Sequence, residues 1–194
     1  FSENKMNIVI LAAGMGKRMH SRLPKVLQPI AGRPMIDHVL DASEGLSASP
    51  RVVVVGHAAE NVMEHLADRS DVTFALQSPQ LGTGHALRQA LGQLDRNEPK
   101  TLVCLGDVPL LSRRTLEAIA REAETSDLVL LTVELDNPTG YGRILRNPAG
   151  FVRAIVEEKD ASPEERRVRE VNTGIMCLPT SRLDGWLSSL KAAN

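Results

Sequence analysis

The chain has 194 residues, of which 42% are hydrophobic and 24% are charged. This length is enough for one well-buried core with a small lobe attached. The 23 basic and 24 acidic residues give a formal net charge of −1, so no global field favours nucleic acid or an anionic membrane, and any phosphate binding must be local.

The residue types narrow the partners further. Three Phe, one Tyr and one Trp are too few for a base-stacking platform, so we expect no nucleic-acid partner. The chain lacks an apolar run of about 18 residues and a signal peptide, so we expect no membrane partner. Cys104 and Cys177 lie in apolar segments typical of strands, which favours buried reduced thiols and a cytoplasmic location. Residues 1–5 are expected to be a tag remnant or a disordered start.

Five apolar runs rich in β-branched residues predict buried parallel strands. They span residues 7–11, 51–55, 72–76, 101–105 and 128–133. Apolar residues recur between them at helical spacing, at Ile36, Val39 and Leu40, at Leu87, Ala90, Leu91 and Leu94, and at Leu116, Ile119, Ala120 and Ala123. Alternating strands and helices predict an α/β fold.

The pattern changes from residue 137 onwards. Residues 142–146 and 151–157 flank the turn-forming Asn147-Pro148-Ala149-Gly150, which predicts a β-hairpin added to the main sheet. Ser181-Arg182-Leu183-Asp184 predicts a capping box before a helix that carries Trp186 and Leu187. The sequence contains no internal repeat and no hexapeptide pattern of the kind that builds a β-helix.

The first predicted strand runs into Leu11-Ala12-Ala13-Gly14-Met15-Gly16-Lys17-Arg18-Met19. Its small residues let backbone amides approach a phosphate, and Lys17 and Arg18 supply positive charge. A dinucleotide fingerprint would need glycine at Met19, and a Walker loop would need glycine at Leu11 and Ser or Thr at Arg18. The residues alone leave open a third kind of nucleotide loop or an ordinary turn.

Two charged residues follow apolar segments. Lys25 comes after Pro24 in an apolar stretch and must reach a polar partner such as a triphosphate or sugar phosphate, or else remain solvated while its stem covers the core. Asp107 follows the run 101–105, so its carboxylate is expected at the carboxyl edge of the sheet, where open α/β sheets bind ligands. One aspartate with water and phosphate oxygens can start a Mg²⁺ site, although a turn-forming aspartate is the alternative.

The segments 11–19 and 23–25 resemble the signature of sugar-nucleotide pyrophosphorylases. Nearly the whole chain resembles the uridyltransferase half of bacterial bifunctional N-acetylglucosamine-1-phosphate uridyltransferase/glucosamine-1-phosphate acetyltransferases, through segments 80–86, 106–110, 138–144, 155–160 and 172–174. The resemblance implies a doubly wound, mostly parallel mixed sheet of the Rossmann-like nucleotide-diphospho-sugar transferase type. Residues 6–194 would form the nucleotidyltransferase domain, C-terminally truncated and without the family's left-handed β-helix acetyltransferase domain.

The resemblance also implies a reaction: Mg²⁺-dependent joining of UTP and N-acetylglucosamine 1-phosphate into UDP-N-acetylglucosamine and pyrophosphate, which supplies bacterial peptidoglycan and lipopolysaccharide synthesis. A second metal ligand, an asparagine, and the contacts of a homotrimer lie in relatives beyond residue 194. The implied site comprises catalytic Arg18 and Lys25; nucleotide-binding Leu11, Ala12, Ala13, Gly14, Lys25, Gln77, Gly82 and Thr83; sugar-binding Gly142, Glu157 and Asn172; and the Mg²⁺ ligand Asp107.

Several of these residues have simpler alternative roles. Thr83 could cap a helix, Glu157 could be a solvated strand-end charge, and His85 is more often a packing or capping residue than a catalyst. Leu105 stands where some relatives carry an aromatic residue near the substrate. Two other functions stay open: a different substrate pair such as dTTP with glucose 1-phosphate, and a catalytically silent module that binds sugar nucleotides.

Overall fold

A computed structural model describes residues 5–14, 23–47 and 49–190. The chain divides into two compact units, the first formed by Phe1–Val129 with Met176–Asn194 and the second by Leu130–Ile175. Among the described residues, no helix has the length and apolar character needed to cross a membrane.

The described residues form ten strands and five α-helices. The strands are β1 (Asn7–Leu11), β2 (Pro29–Ile30), β3 (Arg33–Pro34), β4 (Arg51–Val55), β5 (Val72–Leu76), β6 (Lys100–Leu105), β7 (Val129–Glu134), β8 (Arg143–Arg146), β9 (Val152–Val156) and β10 (Glu170–Pro179). The helices are α1 (Met35–Ala42), α2 (Ala59–His65), α3 (Thr83–Ala90), α4 (Arg113–Glu122) and α5 (Thr180–Ser189).

The first unit contains the parallel sheet that the apolar runs predict. Its strands lie in the order β5-β4-β1-β6, all parallel, followed by the antiparallel C-terminal part of β10. Along the chain, β4 and β5 add to one side of β1, and β6 then returns to its other side. The winding therefore reverses between β1 and β6, which confirms the doubly wound fold and marks the place where such sheets bind ligands.

Helices cover the sheet through their apolar faces. In α3, Ala86, Leu87 and Ala90 are buried with Val9, Val52 and Val103 of the strands and with Leu183 of α5. Ile36, Val39 and Leu40 of α1 are fully buried as well. Burying a side chain of the Val, Leu or Ile type contributes about 1.5–3 kcal/mol, so these faces hold the strand ends in place.

Two helix predictions differ from the structure. The helical spacing at 87–94 continues beyond α3 only as the 3₁₀ turn Leu91–Gln93. The capping box at Ser181 was wrong, because α5 already begins at Thr180, directly after β10, and Ser181 lies in its first turn. Thr180 is fixed there by its backbone N–H, which donates to Pro99 O at 2.9 Å, and by its hydroxyl, which lies 2.9 Å from Thr101 Oγ1.

The second unit contains the predicted hairpin. Strands β8 and β9 pair antiparallel, with a register shift between Leu145 and Arg146. The turn closes through the backbone of Asn147, whose N–H donates to Phe151 O at 2.9 Å and whose carbonyl accepts from Gly150 N at 2.9 Å. The hairpin prediction is confirmed.

The prediction for strand β7 was wrong in its environment and pairing. The run 128–133 predicts a buried parallel strand, but β7 pairs with β10 and is half-buried to exposed. The edge of β6 that a further parallel strand would need is taken by β10, through the pairs Met176 with Val103 and Cys177 with Leu102. Apolar character alone therefore predicted the strand but not its partner.

Candidate active site

A cavity of about 630 Å³ opens in the first unit at the carboxyl ends of β1 and β6. The predicted nucleotide-binding residues that line it are Leu11, Ala12, Ala13, Gly14, Lys25, Gln77, Gly82 and Thr83, and the predicted metal ligand Asp107 joins them. Leu105, expected near the substrate, lines it too. The sequence analysis missed three lining residues, Val26, Gln80 and Ala86. Their position in the sequence could have indicated them, since Val26 follows Lys25 and the other two lie in the segment 80–86.

The ends of β1 and β6 approach each other closely. Gly106 N donates to Leu11 O at 2.9 Å, and Ala12 N donates to Val54 O at 2.8 Å. A Cβ atom at Gly106 would lie 3.1 Å from Val26 Cγ1 and 3.3 Å from Leu11 O, so glycine lets the two strand ends approach without displacing these neighbours. Arg18, a predicted catalytic residue, lies in the segment 15–22, outside the described residues.

Lys25 and Asp107 form an ion pair in the cavity wall. Lys25 opens the short turn Lys25–Leu27, which is anchored by buried Val26 and Leu27. Its Nζ lies 2.6 Å from Asp107 Oδ2, with side-chain exposures of 42% and 29%. The polar partner expected for Lys25 is therefore the Asp107 carboxylate. A half-exposed pair is worth about 0–1 kcal/mol, so charges on a ligand can replace either partner.

The cavity fits a hard divalent cation. Asp107 contributes a carboxylate, and no cluster of three or more His, Cys, Asp or Glu side chains suited to metal occurs in the described parts of the chain. A zinc-type site needs three or four protein ligands, whereas Mg²⁺ accepts one or two carboxylates and completes its shell with water and phosphate oxygens. The donor set therefore suits a divalent metal that arrives with a phosphate ligand.

Gln77 forms another wall of the cavity. It follows β5, is 3% exposed, and its backbone N–H donates to Val55 O at 2.8 Å. Its side-chain Nε2 donates to Gly82 O at 3.0 Å and lies 3.1 Å from His85 Nδ1. Gly82 has a φ of +93°, a conformation that favours glycine, and α3 begins at the next residue.

Thr83 does not cap the helix it opens. Gly82 is the N-cap residue of α3, and within the described chain no side chain accepts a hydrogen bond from the first turn. The first N–H groups of a helix have no intrahelical acceptor, and they carry the positive end of the helix dipole. They are therefore available to a ligand in the cavity that Thr83 lines.

The three predicted sugar-binding residues lie together in the second unit. A Cβ atom at Gly142 would lie 3.1 Å from Glu157 Oε1, so glycine lets this carboxylate come close. Asn172 N donates to Gly142 O at 2.9 Å, and Asn172 Oδ1 accepts from Gly174 N at 3.1 Å. These contacts place one carboxylate and one amide side chain on neighbouring backbone.

An ion pair between buried Arg143 and partly exposed Glu158 holds the backbone beside this cluster. Arg143, 1% exposed, donates to Tyr141 O and, at 2.6 Å, to Glu158 Oε2, which also accepts from Gly140 N at 3.3 Å. The Arg143 hydrogen bond, followed by the Gly140 N–H, holds the pKa of Glu158 below its ordinary value. The segment 140–143 is thereby tied to Glu158 on both sides of Tyr141.

Both cysteines are free and buried, as predicted. Burial raises the pKa of Cys104 to about 12 and that of Cys177 to about 11. The reactive species of a cysteine is its thiolate, so both groups are chemically quiet. They belong to the core of the sheet.

Comparisons with known proteins agree with this geometry. Residues 8–173 match the family described as MobA-like NTP transferase domain. The bifunctional protein GlmU of Cupriavidus necator is 60% identical over 189 residues, which are 97% of this chain and 41% of that protein. The bifunctional protein GlmU of Azoarcus sp. shows the same identity and coverage. The chain thus spans about two fifths of the length of these curated relatives.

A solved structure supports the fold. The provisionally assigned glucose-1-phosphate thymidylyltransferase of Bacillus anthracis superposes with a TM-score of 0.77 at 20% identity, covering 96% of this chain and 76% of that one. The resemblance to the N-terminal half of the bifunctional enzymes is confirmed by the relatives. The chain belongs to the MobA-like NTP transferase domain family and is a nucleotidyltransferase domain.

Proposed function

We propose that this domain transfers a uridylyl group from UTP to N-acetylglucosamine 1-phosphate and releases pyrophosphate. The observation that carries the proposal is the paired cation and carboxylate, Lys25 and Asp107, in a cavity at the reversal point of the sheet. Open α/β sheets bind nucleotides at this point. The relatives named GlmU support the choice of substrates, and the two buried thiols agree with a reducing, cytoplasmic setting.

The nucleotide has two kinds of contact in this proposal. The backbone of Leu11–Gly14 and the cations Lys25 and Arg18 hold the triphosphate, because small residues let amide groups reach phosphate oxygens. Gln77, Gly82 and Thr83 hold the base, since an amide side chain and backbone groups can match the hydrogen-bonding edge of a pyrimidine. The sugar is assigned to Gly142, Glu157 and Asn172, whose polar groups suit hydroxyl and acetamido groups.

The reaction needs positioning more than acid–base chemistry. A phosphate oxygen of the sugar 1-phosphate attacks the α-phosphorus of UTP, a new P–O bond forms, and the bond to the β-phosphate oxygen breaks as pyrophosphate leaves. The attacking oxygen is already anionic, so no protein base is required. Lys25 and Arg18 offset the repulsion between the two phosphate groups and stabilise the charge on pyrophosphate. Mg²⁺ held by Asp107 would supply further charge neutralisation at the phosphate oxygens.

A pyrophosphate-release assay tests the proposal. The 194-residue chain is incubated with each pairing of UTP, dTTP and CTP with N-acetylglucosamine 1-phosphate and glucose 1-phosphate, with Mg²⁺ or with EDTA. We expect the highest rate with UTP and N-acetylglucosamine 1-phosphate, and none with EDTA. A higher rate with dTTP and glucose 1-phosphate would show that these are the substrates instead. Binding of ligands without turnover in any pairing would identify a silent module instead.

A further inference from the structure

His85 is the polar residue in contact with Gln77 whose role the proposed reaction leaves unexplained. It lies in the first turn of α3, two residues after Thr83, and is half-buried. Its Nδ1 atom lies 3.1 Å from Gln77 Nε2, and its Nε2 atom lies 3.2 Å from Gln89 Nε2. Both ring nitrogens therefore face an amide side chain.

Two contacts, with Gly82 O and with His85, hold the Gln77 amide in one orientation. Gly82 O can only accept a hydrogen bond, so the side-chain atom 3.0 Å from it must be the amide nitrogen. The second hydrogen of that nitrogen is directed to His85 Nδ1. Both amide donors are thereby used within the protein. The Oε1 atom remains: among the described residues no group donates to it, although Gln77 is 3% exposed and lines the cavity.

The two ring contacts of His85 favour opposite tautomers, because each places an amide nitrogen beside a ring nitrogen. A neutral imidazole has one donor and one acceptor nitrogen, so acceptance at Nδ1 places the proton on Nε2. That proton meets the amide nitrogen of Gln89, which also donates to His85 O at 3.1 Å. Gln89 is half-buried and can turn toward water, whereas Gln77 is enclosed. The Gln77 contact therefore decides the tautomer.

We propose that His85 is a positioning residue that locks the Gln77 amide with its carbonyl oxygen toward the cavity, and so selects uracil over cytosine. The inference rests on the proposed function, in which Gln77 contacts the base. A carbonyl oxygen accepts from the N3–H of uracil, and the free N–H groups at the start of α3 suit the adjacent carbonyl oxygens of that base. Cytosine in the same register presents a bare N3 acceptor to Gln77 Oε1, and two acceptors repel.

Without His85, the Gln77 amide loses one of the two contacts that hold its nitrogen. It can then rotate and offer an N–H group to N3 of cytosine. Selectivity should therefore fall through a gain for CTP as well as a loss for UTP. If the role of His85 were purely structural, the substitution would lower kcat/KM for both nucleotides alike.

The test is the ratio of kcat/KM for UTP to that for CTP, with N-acetylglucosamine 1-phosphate as acceptor. We expect His85→Ala to lower this ratio by about tenfold or more, the effect of one hydrogen bond to a buried group. His85→Asn, whose side-chain oxygen can accept from Gln77 Nε2, should restore most of the ratio. His65→Ala removes a histidine of α2 that bonds Asp37 and should leave the ratio unchanged. An unchanged ratio in His85→Ala, or equal losses for both nucleotides, would overturn the proposal.

Two further measurements do not depend on turnover. The ratio of Kd values for UTP and CTP, measured by calorimetry, should change in the same way in each variant. If the wild-type chain binds UTP selectively and His85→Ala does not, but the wild-type chain releases no pyrophosphate, the proposed reaction fails while the role of His85 stands. The ¹⁵N chemical shifts of the wild-type His85 ring should show the proton on Nε2, and a proton on Nδ1 would refute the lock.

Discussion

Lys25 Nζ lies 2.6 Å from Asp107 Oδ2, although the two residues are 82 positions apart in the chain. Lys25 comes after β1 in the chain and Asp107 comes directly after β6, so the pair lies near the two strand ends between which the sheet reverses its winding. In the proposed function Lys25 binds phosphate and Asp107 binds the metal, so the two side chains neutralise each other until these ligands arrive. Substrate and metal binding must separate them.

Removing either partner should abolish most activity without unfolding the protein. We expect Asp107→Ala or Lys25→Ala to lower kcat by about 10²-fold or more, because Lys25→Ala removes a cation proposed to stabilise the transferring phosphate and Asp107→Ala removes the proposed ligand of the metal that does the same. The melting temperature should change little, since a half-exposed pair contributes about 0–1 kcal/mol. Arg33→Ala, which breaks the exposed pair with Asp41 at 2.7 Å, is the control and should keep full turnover. Near-normal pyrophosphate release by Asp107→Ala would remove that residue from the site.

Lys25 should also weaken metal binding in the absence of nucleotide. Its ammonium group occupies Asp107 Oδ2, so a divalent cation has to displace it. We expect Lys25→Met to bind Mg²⁺ or Mn²⁺ several-fold more tightly than wild type by calorimetry, even though its turnover falls. Asp107→Asn should bind the metal more weakly than either. A weaker metal affinity in Lys25→Met would mean that the lysine supports the metal rather than competing with it.

Glu158 should make the second unit sensitive to acid. Its pKa is lowered in the folded chain by Arg143 and the Gly140 N–H, so its contribution to stability is present above the unfolded pKa, near 4.5, and is lost as pH falls through the lower folded value. We expect Glu158→Gln to melt below wild type at pH 7 and the difference to shrink toward pH 3. Glu60→Gln on the exposed side of α2 serves as the control. The difference between its melting temperature and that of wild type should stay constant with pH. A Glu158→Gln difference that grows on acidification would contradict the assignment.

The two cysteines should be unreactive in the folded protein. Because burial raises their pKa values to about 12 and about 11, little thiolate exists at pH 8. Ellman's reagent should label neither thiol in the native chain and both in guanidinium chloride. Rapid labelling of either residue under native conditions would show that the strand carrying it opens.

Sequence patterns predicted the strands best where a buried environment acts on every residue. The runs 7–11, 51–55 and 72–76 coincide with β1, β4 and β5, because a central parallel strand is covered on both faces. The pairing of β7 with β10 could not be predicted, since the edge of β6 is taken by a strand from far along the chain. A capping box at Ser181 is a local pattern, and the hydrogen bond from Thr180 to Pro99 overrides it.

In the candidate site, too, the sequence predicted single residues but not the contacts between them. Spacing and resemblance identified Lys25, Asp107 and Gln77 one by one, and the structure brings all three to one cavity. The Lys25–Asp107 pair and the contact of Gln77 with His85 join residues on different elements, so they depend on the topology of the sheet. The sequence predicted a packing or capping role for His85, because a histidine without metal-ligand spacing has no local signal of function.

The central position of β1 also determines when the cavity can exist during synthesis. Both neighbours of β1, first β4 and then β6, are made after it, and Asp107 follows the second of them. Contacts of high sequence separation form slowly, because a long loop must close first. The Leu11–Gly14 segment is therefore translated well before the strand that brings Asp107 to the same cavity, and that cavity cannot form until β6 has paired with β1.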